Sequence, residues 1–354
     1  MHLTSLHSLL MNWESLFVVP ELITLSFFAV LFQVFVFDVG GKDWKFYDWS
    51  QITTVVTFGK YDPELMCFAH SKGARVVLKG DTSVKKMVDP VVRAAWINQQ
   101  VDLAKRQYMD GINLDIEQHV MYSSAEYYAL TNLVKEATEA FHKEIPGSQV
   151  TFDVPWTPDY IDRCYNYSGI THACDFIFVM SYDEQSERWS NCIVGANAPY
   201  NRTLTGYNNY IRLGINPKKL VMGVPWYGYD YTCLSLSMTH VCSFAKIPFG
   251  GPPCSDAAGR QVPYKIIMKQ INNSLSGILW DQEEKAPYFE YKDSHGALHQ
   301  VWFDNPRSIS LKAAFVKERG LRGIGMWNAN CLDYSNGSAA REQTQAMWEA
   351  LNPE

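Results

Sequence analysis

The run YMDGINLDIEQ, residues 108 to 118, sets Asp110, Asn113, Asp115 and Glu117 among isoleucine, leucine and methionine. Apolar runs of this kind form strands buried on both faces, where an acid is costly. Side chains on a strand alternate, so Asn113, Asp115 and Glu117 share one face while Ile112, Leu114 and Ile116 share the other. The Cα atoms of Asp115 and Glu117 are then roughly 6.5 Å apart. Two carboxyls crowded into a partly desolvated site cannot both ionise cheaply, so one is expected to keep a proton beside a retained anion. A proton donor next to an anion is what hydrolysis of a glycosidic bond requires. Two bland readings stand beside this one. Buried acids satisfied by internal hydrogen bonds would bear the burial cost without using it. A calcium or magnesium cluster would want a glycine-containing ligand loop, which strict alternation does not provide.

The elements around the run say what positions it. Short β-rich segments at 34–38, 52–58, 74–80, 109–117, 149–156, 175–183, 219–228 and 322–330 alternate with helical patterns. Near-continuous Val, Ile, Phe and Met runs separated by helices indicate parallel strands covered on both faces. Eight such units predict an α/β (β/α)8 TIM barrel. A doubly wound open sheet is the competitor, but no GxGxxG turn follows an early strand. Residues 123–144 show the helical pattern well. Ser123 and Glu126 fit a capping box, and Leu130, Leu133, Val134, Ala137 and Phe141 fall on one face. Pro146 and Gly147 then stop the helix.

In this frame Asp115 and Glu117 lie at the carboxyl end of the fourth strand, where barrel enzymes carry their chemistry. The seventh and eighth strands are separated by far more chain than one helix needs. Within that stretch KAPYFEYKDSHGALHQVWFD, residues 285–304, reads as two strands around a turn near Ser294, His295 and Gly296. Residues 229–305 are therefore expected to form an insertion between strands seven and eight, within a catalytic barrel of residues 34–354.

The 354 residues are 47% hydrophobic and 14% aromatic, which allows a large core. A net charge of −6 without a basic run argues against nucleic acid as a partner. None of the 8 cysteines forms a CxxC pair, so a zinc ribbon is not indicated. An even count fits disulfides, with Cys164 and Cys174, and Cys233 and Cys242, as the closest pairs; spacing does not fix the pairing. Sequons begin at Asn166, Asn201, Asn272 and Asn336, and agree with a secretory-pathway chain. Residues 1–33 form an atypical N-terminal segment. LITLSFFAVLF, residues 22–32, has the length of a signal-peptide apolar region but no positively charged start, so the segment reads as signal-like or as a variant start.

The pattern Asp-x-x-Asn-x-Asp-x-Glu resembles the Asp-x-x-Asp-x-Asp-x-Glu that marks the chitinase-type glycoside hydrolases, family eighteen. MSYD (180–183), KKLVMGVPWYG (218–228), FDNPRSISLK (303–312) and GIGMW (323–327) resemble the family's later strands and its last helix approach. The likeness covers about residues 34 to 340. It implies a retaining mechanism in which the substrate's own N-acetyl carbonyl attacks the anomeric carbon. Glu117 would be the general acid and then base, Asp115 would hold the acetamido N–H, and Tyr182 would hydrogen-bond the acetamido oxygen. Asp183 would position the sugar and Glu117, and Trp327 would stack under the ring.

Asn113 stands where the family has a second acid, and it is expected to hydrogen-bond Asp115 without sharing a proton. LKGD, residues 78–81, departs from the family's third strand, so Lys79 and Asp81 receive no role. Met180, Tyr227 and Trp156 are further candidates to line the site, each against plain packing. Trp226 is expected to pack outward and His119 to sit in a loop. Within the family the likeness is to members that hydrolyse the β-1,4 bond between two N-acetylglucosamines at the reducing end of free oligosaccharides from Asn-linked glycoproteins. It implies a lysosomal setting, an oligosaccharide as substrate, no metal or organic cofactor and no obligate protein partner. An endo-acting chitinase and a non-catalytic chitinase-like lectin remain the alternatives.

Overall fold

The computed structural model describes residues 32–188 and 191–352. The signal-like reading of residues 22–32 falls, but for Phe32, outside them, and Gln33 already belongs to the first strand. Eight parallel strands form a closed barrel: β1 Gln33–Asp38, β2 Thr54–Thr57, β3 Arg75–Gly80, β4 Gly111–Leu114, β5 Gln149–Pro155, β6 Phe176–Met180, β7 Leu220–Pro225 and a closing strand Gly323–Trp327. The closing strand pairs with β7 on one side and β1 on the other, which abolishes any edge. Burial on both faces explains why β1, β4, β5 and β7 are buried along their whole length.

The barrel interior is filled with rings. Phe35 and Phe37 of β1 meet Phe178 of β6 at centroid distances of 5.6 and 4.8 Å, and Phe35 also meets Phe176 at 5.5 Å. Room for these rings comes from glycine. A Cβ at Gly223 would lie 2.6 Å from the Phe178 ring, and one at Gly325 would lie 3.0 Å from that ring and 2.1 Å from the Phe35 carbonyl oxygen. Above this plug Trp327 rests on Phe37 and Phe58, at 5.4 and 4.9 Å, both edge-on.

Helices cover the outside. Asp62 and Asp89 cap the helices Pro63–Ser71 and Pro90–Arg106, each with proline at the first turn, where a missing N–H costs nothing. The helix Ala125–Glu144 buries Leu130, Leu133, Val134, Ala137 and Phe141 as its pattern predicts. Its cap is Ser124, which accepts from Tyr127 N–H at 3.1 Å; Ser123 turns the chain at φ 58° and leaves the capping to its neighbour. Trp226 is fully buried on the outer side, edge-on to Trp348 of the helix Ser338–Glu349 at 5.0 Å. Among the described residues no helix is long and apolar enough to cross a membrane.

Between β7 and the closing strand the chain builds its own antiparallel sheet. The five strands run Gly259–Pro263, Tyr227–Thr232, Leu298–Trp302, Ala286–Lys292 and Leu279–Asp281 in spatial order. The hairpin Ala286–Lys292 with Leu298–Trp302 turns at Ser294 and His295. Tyr227, read from sequence as following β7, is the first residue of this sheet rather than the end of the barrel strand. Disulfides join Cys233 to Cys242 within the insertion and Cys192, in the segment after β6, to Cys254. Cys164 and Cys174, close in sequence, are both free thiols, and Cys174 is buried.

The chain re-enters the barrel through FDNPRSISLK. Asn305 and Ser308 form a reciprocal capping box on the helix Pro306–Glu318. Lys312 Nζ meets Asp304 Oδ1 at 2.6 Å with both side chains 1% exposed, and Ser308 Oγ donates to the same oxygen at 2.7 Å. Replacing Lys312 by Met leaves Asp304 buried without its counter-charge. We expect Lys312→Met to lower unfolding stability by about 3–5 kcal/mol in urea titrations; a loss below about 1 kcal/mol would show the pair to be dispensable.

Candidate active site

The alternation read from the 108–118 run persists beyond its regular strand. Asp115 N–H still bonds Gly80 O at 2.8 Å, and Ile112, Leu114 and Ile116 are fully buried against the outer layer. Asp110 lies at the opposite, amino-terminal end of β4. There it accepts from Val76 N–H at 2.7 Å and meets His70 Nε2 at 2.8 Å, which makes it a tie between strands.

Asn113 is fully buried, and its Nδ2 donates to Asp153 Oδ1 at 2.7 Å and Thr151 Oγ1 at 2.9 Å. The expected bond to Asp115 is therefore replaced by two bonds to β5, because the amide lies between the strands rather than along its own. Asp115 faces Lys79 Nζ at 3.4 Å. Burial raises the Asp115 carboxyl, as does the charge of Glu117, while Lys79 pulls it back; the balance puts it at about 6. Glu117 stands further out, its side chain 46% exposed, with Arg163 at 2.8 Å from its Oε2.

Two small cavities meet around these groups. One, of about 170 Å³, is lined by Phe37, Phe58, Asp115, Asp153 and Trp327. The other, of about 180 Å³, is lined by Trp156, Tyr160, Ile161, Arg163, Ser186 and Phe249, with Pro155. Glu117, Met180, Tyr182 and Asp183 line both and so form the boundary between them. A proton donor at such a boundary faces the bond that joins the two halves of a linear ligand. Each lobe is smaller than an ordinary small-molecule pocket, which suits a short chain of rings.

Tyr182 and Asp183 follow β6. Burial pushes the Tyr182 phenol well up, and the neighbouring Asp153 and Glu117 charges push the same way. Asp183 adopts φ 52° and its N–H bonds Asn197 Oδ1 at 2.7 Å. Its Oδ1 accepts from Tyr227 at 2.6 Å and Tyr229 at 2.8 Å. Burial raises the Asp183 carboxyl and the two phenols lower it. Tyr227 is thus buried behind Asp183 and acts on the site through it. Trp156 packs edge-on to Tyr160 at 5.3 Å under the Arg202 guanidinium. His119 is a loop residue 3.8 Å from Asp162.

Sequence reasoning passed over Asp153, Arg163 and Tyr229. Asp153 carried the same signal as Asp115, an acid inside an apolar strand; Arg163 sits in a loop where no periodicity marks it. Among the described residues no group of three His, Cys, Asp or Glu side chains is arranged to hold a metal ion. Of the sequon asparagines, Asn201, Asn272 and Asn336 are exposed, while Asn166 Oδ1 caps the helix Tyr167–Ala173 through Gly169 N–H.

The model of the glycosyl hydrolases family 18 matches residues 28–331. The chain is 71% identical over 323 residues to a di-N-acetylchitobiase of Homo sapiens, covering 91% of this chain and 84% of that one. It is 35% identical over 329 residues to a probable di-N-acetylchitobiase 2 of Dictyostelium discoideum, covering 89% and 84%. Among solved structures, a group IV chitinase of Ostrinia furnacalis in complex with allosamidin superposes with a TM-score of 0.71 at 20% identity, covering 90% and 97%, and so shares the fold.

The acids give the molecule a pH preference. Burial raises Asp115 and Asp256 to about 6 and Glu184 to about 8. A carboxyl with a higher pKa when folded binds its proton more tightly in that state. Its stabilising contribution is full below the unfolded value near 3.8 to 4.5 and is lost as pH rises through 6 and then 8. Thermal unfolding is therefore expected at a higher temperature at pH 5 than at pH 7.5. In Asp115→Asn that difference should shrink by an amount worth about 1–3 kcal/mol. Equal or higher stability at pH 7.5 in the parent protein would contradict this.

Proposed function

The chain belongs to the glycosyl hydrolases of family 18, and on that premise we propose that it is a glycosidase that hydrolyses the β-1,4 bond between two N-acetylglucosamines. The substrate is a free oligosaccharide from an Asn-linked glycoprotein, and the cut removes the sugar at its reducing end. Identity to di-N-acetylchitobiases supports the bond; one observation carries the chemistry. Glu117 stands on the boundary of the two lobes, with Asp115 and Trp327 in one and Arg163 and Trp156 in the other.

The sugar whose bond breaks lies over Trp327, its ring face on the indole. Its acetamido N–H is held by Asp115 and its acetamido oxygen by Tyr182, which sets that oxygen in line with the anomeric carbon. As the oxygen attacks, Glu117 gives its proton to the glycosidic oxygen, and the sugar in the second lobe leaves as an alcohol. A cyclic oxazolinium remains, its positive charge balanced by Asp115. Water then adds to the anomeric carbon, Glu117 takes back a proton, and the ring reopens with retained configuration. Asp183, fixed by Tyr227 and Tyr229, positions the sugar and Glu117.

Arg163 holds the Glu117 carboxylate at 2.8 Å. The leaving sugar enters the lobe that Arg163 lines and competes for it, so the ion pair opens as substrate binds and Glu117 takes from solvent the proton it then donates. A lysosomal setting suits this chemistry, because the carboxyls of the site and the two disulfides both favour an acidic, oxidising compartment.

The test is an oligosaccharide ending in two N-acetylglucosamines, followed by mass at acidic pH beside a chitin oligomer. Loss of one reducing-end residue is expected. Internal cuts in the chitin oligomer would mean an endo-acting chitinase, and binding without cleavage a lectin. Glu117→Gln should lower turnover by roughly 10²–10⁴-fold while leaving unfolding temperature and sugar binding unchanged. Undiminished hydrolysis by that variant would remove the assignment.

A further inference from the structure

Asp153 is a buried acid that the mechanism above does not use. It lies on β5, 2% exposed, in the run QVTFDVP, and its carboxyl opens into the lobe that holds Asp115 and Trp327. Its bond to Asn113 Nδ2 is neutral, and among the described residues no lysine or arginine forms an ion pair with it. Asn113 Oδ1, by contrast, is buried with no hydrogen-bond partner among the described residues, so the amide is oriented by what it donates.

A buried carboxyl without a counter-ion keeps its proton. The charges that face Asp153 come from every side of the lobe. Asp115 and Glu117 beyond β4 disfavour its ionisation, Asp115 the more strongly, and Lys79 of β3 offsets them in part. Tyr182, from the end of β6, faces the same three acids. Burial adds to this and holds the Asp153 carboxyl well above its ordinary range. Asp115 stands on the other side of the balance, since Lys79 favours its anion.

We propose that Asp153 is a positioning residue that shares one proton with Asp115, so that the pair carries a single negative charge, and that Asn113 fixes Asp153 for this exchange. The inference rests on the role given to Asp115 in holding the acetamido group. When the pair's proton rests on Asp153, Asp115 is an anion, able to accept the acetamido N–H and to balance the oxazolinium. When the O–H bond forms on Asp115 it breaks on Asp153, and the charge of the lobe does not change. Interacting acids of this kind titrate in two steps that belong to the pair. The amide at 113 fits the same arrangement: a further carboxyl there would place three acids against one lysine.

The test compares Asp153→Asn with the double variant Asn113→Asp, Asp153→Asn, which returns one acid and one amide to the pair on exchanged strands. Turnover and KM are read across pH 3.5 to 8 on the oligosaccharide described above. Asp153→Asn should lose about 10-fold or more in kcat with KM little changed, and its pH profile should move. The double variant should regain most of that loss and the parent profile, which a merely structural asparagine would not achieve. A folded Asp153→Asn with parent kcat and pH profile, or a double variant no better than the single one, would overturn the proposal.

If neither variant folds, carboxyl ¹³C resonances of the parent protein decide. Two linked titration steps shared by Asp115 and Asp153 are expected; one independent step for Asp115 would overturn it. Parent protein and Glu117→Gln run beside these samples. An inactive parent or an active Glu117→Gln would defeat the assigned function, whereas failure of the pair alone would leave that function standing.

Discussion

Carboxyls gathered at the carboxyl end of the barrel repel one another, and each is tolerated because a different group answers its charge. Asp115 has Lys79, Glu117 has Arg163, Asp183 has two phenols and a backbone turn, and Asp153 has only an amide. These answers differ in strength, and that difference makes the acids unequal. The Lys79 cation favours the Asp115 anion, whereas the neutral Asn113 donor in a dry lobe does not offset the desolvation of Asp153. The site therefore holds a graded set of buried acids, Asp115, Asp153 and Asp183, rather than copies of one. The mechanism proposed above calls for a proton donor and a fixed anion close together, and unequal acids suit that need.

The insertion supports the grading from outside. Tyr227 and Tyr229 lie on the first strand of the inserted sheet, two residues apart and on one face, so both phenols reach the same oxygen of Asp183. Gln261, on the neighbouring strand, donates to the Tyr229 hydroxyl at 2.9 Å and holds it in turn. Ser186 and Asp256 extend the polar contact, and the Cys192–Cys254 disulfide fastens the segment after β6 to the insertion. A sheet that contributes no barrel strand thereby fixes a residue at the boundary of both lobes.

The parts that follow a period were legible in the sequence. Eight apolar segments gave the barrel, and the alternation of 112–117 turned Asp115 and Glu117 toward the cavities they line, although the regular strand ends at Leu114. FDNPRSISLK and the 285–304 hairpin formed where their turn and capping residues placed them. What escaped depends on contacts across strands. Asn113 bonds β5 because neighbouring parallel strands bring Asn113 level with Thr151, and register is a property of the pairing, not of either segment. Arg163 reaches Glu117 from a loop in which Asp159, Ile161 and Asp162 all have positive φ, a conformation that residue types do not announce. The shift of the helix cap from Ser123 to Ser124 has the same origin, a local left-handed turn.

The aromatic plug has a mechanical meaning for Trp327, which lines the lobe of Asp115. Trp327 stands on Phe37, Phe37 on Phe178, and Phe178 is wedged against Gly223 and Gly325, with no flexible aliphatic chain between the indole and the far glycine. A column of interlocked rings, packed edge-on or tilted, is stiff, because rigid planar side chains leave few rotamers to absorb a displacement. The tilt of the Trp327 indole is thus set several residues deep, by how two glycines let one phenylalanine settle. Volume added at the bottom of the barrel would be felt as an altered angle at its mouth.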